Sequence, residues 1–210
     1  MDGLLINSEP YWEAAGGETL KEYGVTLSPE QYHSTTGLRT KEWIDWWFTY
    51  FNIDKKFAHD AAETIVLKAI EKIRQHGEAM PGVEYIFNLF REMNFTIGLA
   101  TSSPISLIDV VVEKLGIKSY LQAVSSAESL VYSKPHPQVY LNCAEQLNVS
   151  PLECICFEDS FNGMISVKAA RMKCIIVPAL KQFQEPKWDA ADIKLRSLEE
   201  FSSSRLHGLQ

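Results

Sequence analysis

The sequence predicts an α/β fold: a parallel sheet with helices on both faces, interrupted by a helical insertion. Three observations carry this. From about residue 80, short apolar runs alternate with stretches of helical period, the pattern of strands joined by crossover helices. Between residues 10 and 76 the period is helical, with few strand-like runs. The polar clusters Thr101-Ser102-Ser103, Ser133-Lys134 and Glu158-Asp159-Ser160 fall at or just beyond the ends of expected strands, where such sheets collect ligands.

Each element follows from local pattern. Trp43, Trp46, Trp47 and Tyr50 stand at i, i+3, i+4 and i+7, which predicts one face of a helix. Phe57, Ala61, Ile65 and the run from Leu67 to Ile70 continue a second helical pattern. Asn94 to Ala100 is a buried-strand run. Ser103 or a neighbour is expected to cap the next helix, with Pro104 in its first turn and Gly116 as its stop. Leu121 to Val124 reads as a short strand, Pro137 to Leu147 as helix, and Cys154 to Phe157 as strand. Phe161 to Met172 is then helix and Cys174 to Val177 strand.

Composition bounds the function. The chain has 210 residues, 46% of them hydrophobic and 22% charged, which excludes a disordered chain. At this length roughly 70% of the unfolded surface can be buried, so no disulfide or metal staple is needed. The net charge of −7 argues against a broad nucleic-acid face. No apolar run approaches the ~18 residues of a membrane span, and the first residues lack the basic region of a signal peptide. Cys143, Cys154, Cys156 and Cys174 form no CxxC pair, and the five histidines show no zinc-ligand spacing. The expectation is a reduced, cytoplasmic protein that binds neither nucleic acid nor membrane and is a monomer.

The polar clusters make chemical sense as one site. Asp2-Gly3 offers a carboxylate beside a flexible glycine, and Thr101-Ser102 a hydroxyl and backbone N–H groups at a helix start, an anion cradle. Lys134 lies between Ser133 and Pro135-His136-Pro137, on a stiff loop. Glu158-Asp159 is a carboxylate pair at a strand end. Hard oxygen ligands suit Mg²⁺ shared with a phosphate, and the lysine offsets charge as a phosphoryl group moves.

With these four clusters in order, the chain resembles the haloacid dehalogenase superfamily of aspartate-nucleophile phosphotransferases. It is most similar to the branch of sugar-phosphate phosphatases and β-phosphoglucomutase. The first motif is Met1-Asp2-Gly3 through Pro10, the second Leu99 to Ser103, the third Ser133 to Pro137, and the fourth Phe157 to Gly163. The resemblance implies a three-layer, Rossmann-like core of residues 1–9 and 78–210, with residues 10–77 as an inserted α-helical cap domain. It also implies roles. Asp2 would protonate the leaving oxygen and then deprotonate water, its backbone carbonyl binding Mg²⁺. Thr101, the Ser102 backbone and Lys134 would hold the phosphoryl group. Asp159 would ligate Mg²⁺, and Glu158 would ligate it or orient its water. Gly37-Leu38-Arg39 would be the cap's substrate loop, with Arg39 reaching a hydroxyl or second phosphate.

The chain departs from the family pattern at three places. The nucleophilic aspartate belongs two residues before Asp2, on a central strand ahead of Met1, so an upstream segment ending in Asp is expected. Asn7 replaces a common aspartate. Arg171 stands where relatives often have a helix-ending glycine. The expected activity is Mg²⁺-dependent hydrolysis of a small phosphorylated sugar or polyol through an aspartyl-phosphate. The alternatives are a mutase that returns the phosphoryl group to sugar, and a non-catalytic relative that binds a phosphorylated ligand or a protein partner. Trp43, Trp46, Trp47 and Phe48 offer a possible platform for stacking a sugar.

Overall fold

The computed structural model describes residues 1–35 and 37–209. The chain opens with a tight turn in which the Met1 carbonyl accepts from the backbone N–H groups of Leu4, Leu5 and Ile6. A helical layer follows: α1 (Glu9–Glu22), α2 (Pro29–Ser34), α3 (Thr40–Tyr50) and α4 (Ala58–His76). Helices α1 and α3 both pack on α4. The apolar face of α3 is Trp43, Ile44, Trp47 and Phe48, whereas Trp46 and Tyr50 are 57% and 64% exposed. The expected aromatic stripe is therefore divided. Ile44 and Phe48 complete the i, i+3, i+4 face, and Trp46 and Tyr50 turn to solvent.

The alternating part comprises α5 (Val83–Glu92), β1 (Ile97–Thr101), α6 (Ile105–Lys114), β2 (Leu121–Ser126), α7 (Gln138–Gln146), β3 (Ile155–Glu158), α8 (Phe161–Ala169), β4 (Lys173–Ile176), β5 (Ile193–Lys194) and α9 (Ser203–His207). Strand β1 starts three residues later than the apolar run suggests, because Asn94 adopts φ 58° and ends the turn after α5. Phe95 then packs edge-on against Phe90.

All pairings within the sheets are parallel, as the strand–helix alternation requires. They form two sheets, β1-β2 and β3-β4-β5. Among the described residues β1 has no strand partner on its second edge, and neither has β3. Between these edges lies an apolar slot walled by Ile97–Ala100 on one side and Cys154–Phe157 on the other, with Met1 at one end. All four cysteines are free; Cys143 and Cys174 are buried, and Cys154 and Cys156 half-buried. No helix is long and apolar enough to cross a membrane, among the described residues.

Candidate active site

The carboxyl ends of β1 and β3, the opening turn and the helical layer enclose one pocket. It brings together Asp2, Thr101, Ser102, Lys134, Asp159, Gly37 and Arg39 on its lining. Glu158 stands directly behind, bonded to Lys134.

Asp2 is clamped by three donors. Ser8 Oγ and Trp12 Nε1 reach Oδ1 at 2.7 and 2.9 Å, and Ser103 Oγ reaches Oδ2 at 2.5 Å. The cost shows in local structure. Ser8 and Ser103 are both positioned to cap helices, yet neither does so. Ser8, the N-cap of α1, makes no side-chain cap bond, and Pro104 takes the N-cap place of α6. The backbone N–H of Ile105 finds Glu128 Oε2 instead, at 3.1 Å. Sequence reasoning expected Ser103 or a neighbour as a cap; the carboxylate outcompetes the helix for its hydroxyl.

Thr101 ends β1 and is 3% exposed; its Oγ1 accepts from the Ser103 N–H at 3.2 Å. Ser102 Oγ is buried on the pocket wall without a hydrogen-bond partner among the described residues. A buried hydroxyl without a partner is costly, and an incoming phosphate oxygen would satisfy it.

Lys134 and Glu158 are both buried, with 7% and 5% of their side chains exposed, and they form an ion pair. Tyr140 also donates to Glu158 Oε1, while Oε2 accepts from the Asp159 N–H at 3.2 Å and from Ser160 Oγ at 3.2 Å. Burial alone would raise the Glu158 carboxyl; the Lys134 ammonium outweighs it and holds the group well below the ordinary carboxylate range. Gly163 makes room for this carboxylate, since a Cβ there would meet Glu158 Oε2 at 2.0 Å. Ser8 and Ser103 belong to the first and second motifs, but their grip on Asp2 was not foreseen, nor was Trp12 as its third donor. Tyr140 was not foreseen at all, since its partner Glu158 is 18 positions away with no motif joining them.

Asp159 is the uncompensated group. Burial, then the neighbouring Glu158 charge, raises its carboxyl well above the usual value. Gly3, at φ 66°, passes so close that a Cβ would stand 2.3 Å from Asp159 Oδ2. A half-buried carboxylate facing the pocket beside Asp2 fits a hard divalent cation, which would offset its charge. Among the described residues no three acidic, cysteine or histidine side chains converge as a complete metal cage. Two carboxylates with water and phosphate oxygens are what Mg²⁺ accepts.

Gly37, at φ 90°, rests on Ser160 and Asn162, which carries the loop before α3 onto the β3–α8 turn. Arg39 does line the pocket, but its guanidinium is engaged elsewhere. Nη1 donates to the carbonyls of Ala127 and Leu130, and Nη2 pairs with Glu42 at 2.7 Å. Among the described residues its Nε has no partner. Of the aromatic cluster, Trp43 reaches the pocket, joined by Trp12.

The fold has close counterparts. The β-phosphoglucomutase of Clostridium difficile superposes with a TM-score of 0.87 at 22% identity, covering 99% of this chain and 93% of that one. At that identity it shows the fold: an α/β core with parallel strands, as expected. Hexitol phosphatase B of Escherichia coli (strain K12) is 39% identical over 209 residues, covering 99% of this chain and 94% of that protein. The fructose-1-phosphate phosphatase YqaB of the same strain is 26% identical over 86% of this chain. The family profile described as haloacid dehalogenase-like hydrolase matches residues 1–177. The resemblance read from four ordered motifs is thus borne out, and the chain belongs to the haloacid dehalogenase-like hydrolases.

Proposed function

We propose that this hydrolase removes phosphate from a small phosphorylated hexose or polyol with Mg²⁺ as cofactor. The observation that carries it is the clamped Asp2 facing an empty-handed Ser102 hydroxyl and Lys134 across one pocket. The 39% identity to a hexitol phosphatase supports the substrate class.

In this reading Thr101, Ser102 and Lys134 grip the phosphoryl oxygens, and Lys134 is steadied by Glu158. Asp159 and the Asp2 backbone carbonyl would hold Mg²⁺, which offsets phosphate charge when bound. By the family resemblance, the nucleophile is an aspartate carboxylate two positions ahead of Asp2. It attacks phosphorus as the ester P–O bond breaks, and Asp2 gives its proton to the departing sugar oxygen. Asp2 then takes a proton from water, whose oxygen attacks the phosphorus of the aspartyl-phosphate and frees inorganic phosphate and the carboxylate. The three donors on Asp2 fix its carboxyl group in place over the pocket. The helical layer, residues 10–77, acts as the cap that excludes bulk water. A soluble, cytoplasmic monomer fits this role.

The test is phosphate release from a panel of hexitol and hexose monophosphates, with and without Mg²⁺, by the purified protein. Release that requires Mg²⁺ and leaves the sugar skeleton unchanged supports the proposal. Isomerised sugar phosphate without net release identifies a mutase instead, and binding without turnover identifies a non-catalytic relative.

A further inference from the structure

Tyr140, in the first turn of α7, meets the site from behind. It is 4% exposed and stands behind the pocket wall rather than on it. Two contacts tie it to the pocket lysine. Its hydroxyl donates to Glu158 Oε1, the same oxygen that accepts from Lys134 Nζ. Its ring also lies against that ammonium, with 5.0 Å from Nζ to the ring centroid. The second carboxylate oxygen is filled as well. Glu158 Oε2 accepts from the Asp159 N–H and Ser160 Oγ, each at 3.2 Å, and from the Ser160 N–H at 3.4 Å. The loop that joins Lys134 to Tyr140 is braced too. The His136 N–H donates to the Ser133 carbonyl at 2.9 Å, and Ser166 Oγ donates to the His136 carbonyl at 2.7 Å.

We propose that Tyr140 is a positioning residue that holds Lys134 in place for the phosphoryl group. A lysine is a compact charge on a flexible four-carbon stem, so an ion pair alone leaves it free to move around its carboxylate. Here the phenol hydroxyl pins Oε1, and backbone and hydroxyl donors pin Oε2, so the carboxylate has no second arrangement to offer. The ring gives the ammonium a further hold through its electron-rich face. Two of the three Lys134 N–H donors have no acceptor among the described residues, and Lys134 lines the pocket. Those donors are the ones left for phosphate oxygens, and a fixed ammonium meets them without having to be ordered first. The inference rests on the phosphatase reading for the role of Lys134.

A double-mutant cycle on phosphate binding tests it, with the purified protein and inorganic phosphate in Mg²⁺ buffer titrated by calorimetry. Tyr140→Phe keeps the ring and loses the hydroxyl, and should weaken phosphate binding about tenfold. Tyr140→Leu loses both and should weaken it further. In a Lys134→Met background Tyr140→Phe should change the affinity less than about twofold, because the group it positions is gone. Glu158→Gln replaces Lys134→Met as the background if the latter does not fold, with the same expectation. A purely structural tyrosine would lower the melting temperature and leave phosphate affinity unmoved. Unchanged affinity in Tyr140→Phe, or the same loss with and without Lys134, would overturn the inference, even in an active phosphatase. Tyrosine-dependent phosphate binding without turnover would leave it standing and remove the hydrolytic reading. A wild type that binds no phosphate would overturn both.

Discussion

Glu42 on α3 accepts a hydrogen bond from the hydroxyl of Ser133, the residue before Lys134, while Arg39 bridges Glu42 to the carbonyl of Leu130. The helical layer is therefore tied to the lysine-bearing loop by an ionic clasp beside the pocket. Glu42→Gln should loosen the layer and lower kcat/KM about tenfold, with little change in melting temperature. Steady-state kinetics beside a thermal melt checks this. A large drop in melting temperature would make the clasp structural instead.

Lys134 and Glu158 should behave as a unit. Lys134→Ala leaves a buried carboxylate without its cation and should destabilise the fold by about 3–5 kcal/mol while abolishing turnover. Adding Glu158→Gln to that variant should restore most of the stability and none of the activity. Urea melts of the single and double variants measure the coupling.

Asp159 is a half-buried carboxyl that no cation pairs with among the described residues, so holding it ionised is costly. Asp159→Asn should raise the melting temperature in metal-free buffer and eliminate turnover. Millimolar Mg²⁺ should raise the melting temperature of the wild type and leave that of Asp159→Asn unmoved. Calorimetry with and without a chelator decides it.

Arg171 sits at φ 63°, the left-handed backbone that follows α8. Among the described residues the Arg171 side chain makes no hydrogen bond or ion pair. Arg171→Gly should stabilise the protein by about 1 kcal/mol, because an L side chain is strained in that conformation. A rise of about 2–4 °C in melting temperature with unchanged kinetics is the expected result.

Asp192 joins β4 to α8, accepting from the Cys174 N–H at 2.8 Å and from Lys168 Nζ at 2.7 Å. Burial alone would raise its carboxyl, but the Cys174 N–H and then the Lys168 ammonium hold it below the ordinary range. Its stabilisation is present above the unfolded value near 3.8 and is lost as pH falls through the lower folded value. Asp192→Asn should cost about 1 kcal/mol at neutral pH, and the gap from wild type should close toward pH ~3. Denaturant melts at the two pH values check the sign.

Most strand and helix positions were legible because burial writes a period into the chain. Ile97 to Ala100 and Cys174 to Ile176 are apolar runs that only a covered strand explains. The four polar clusters were legible because strand ends put them in one place. What was not legible depends on competition between distant partners. Ser103 reads as a helix cap until Asp2, 101 positions away, takes its hydroxyl. Arg39 reads as a substrate contact, but Ala127, Leu130 and Glu42 hold its two Nη groups. Tyr140 has no motif around it, and only the folded sheet brings it onto Glu158.

The facing edges of β1 and β3 have a colloidal consequence. Among the described residues each presents a row of main-chain donors and acceptors with no sheet neighbour, across a channel lined by Leu99, Phe157 and Ile155. Such an opening captures any extended, greasy segment by backbone pairing, whichever molecule it comes from. Whenever the channel is vacant, self-association should therefore grow with concentration. A short apolar peptide added in solution would suppress it, acting as a donor strand.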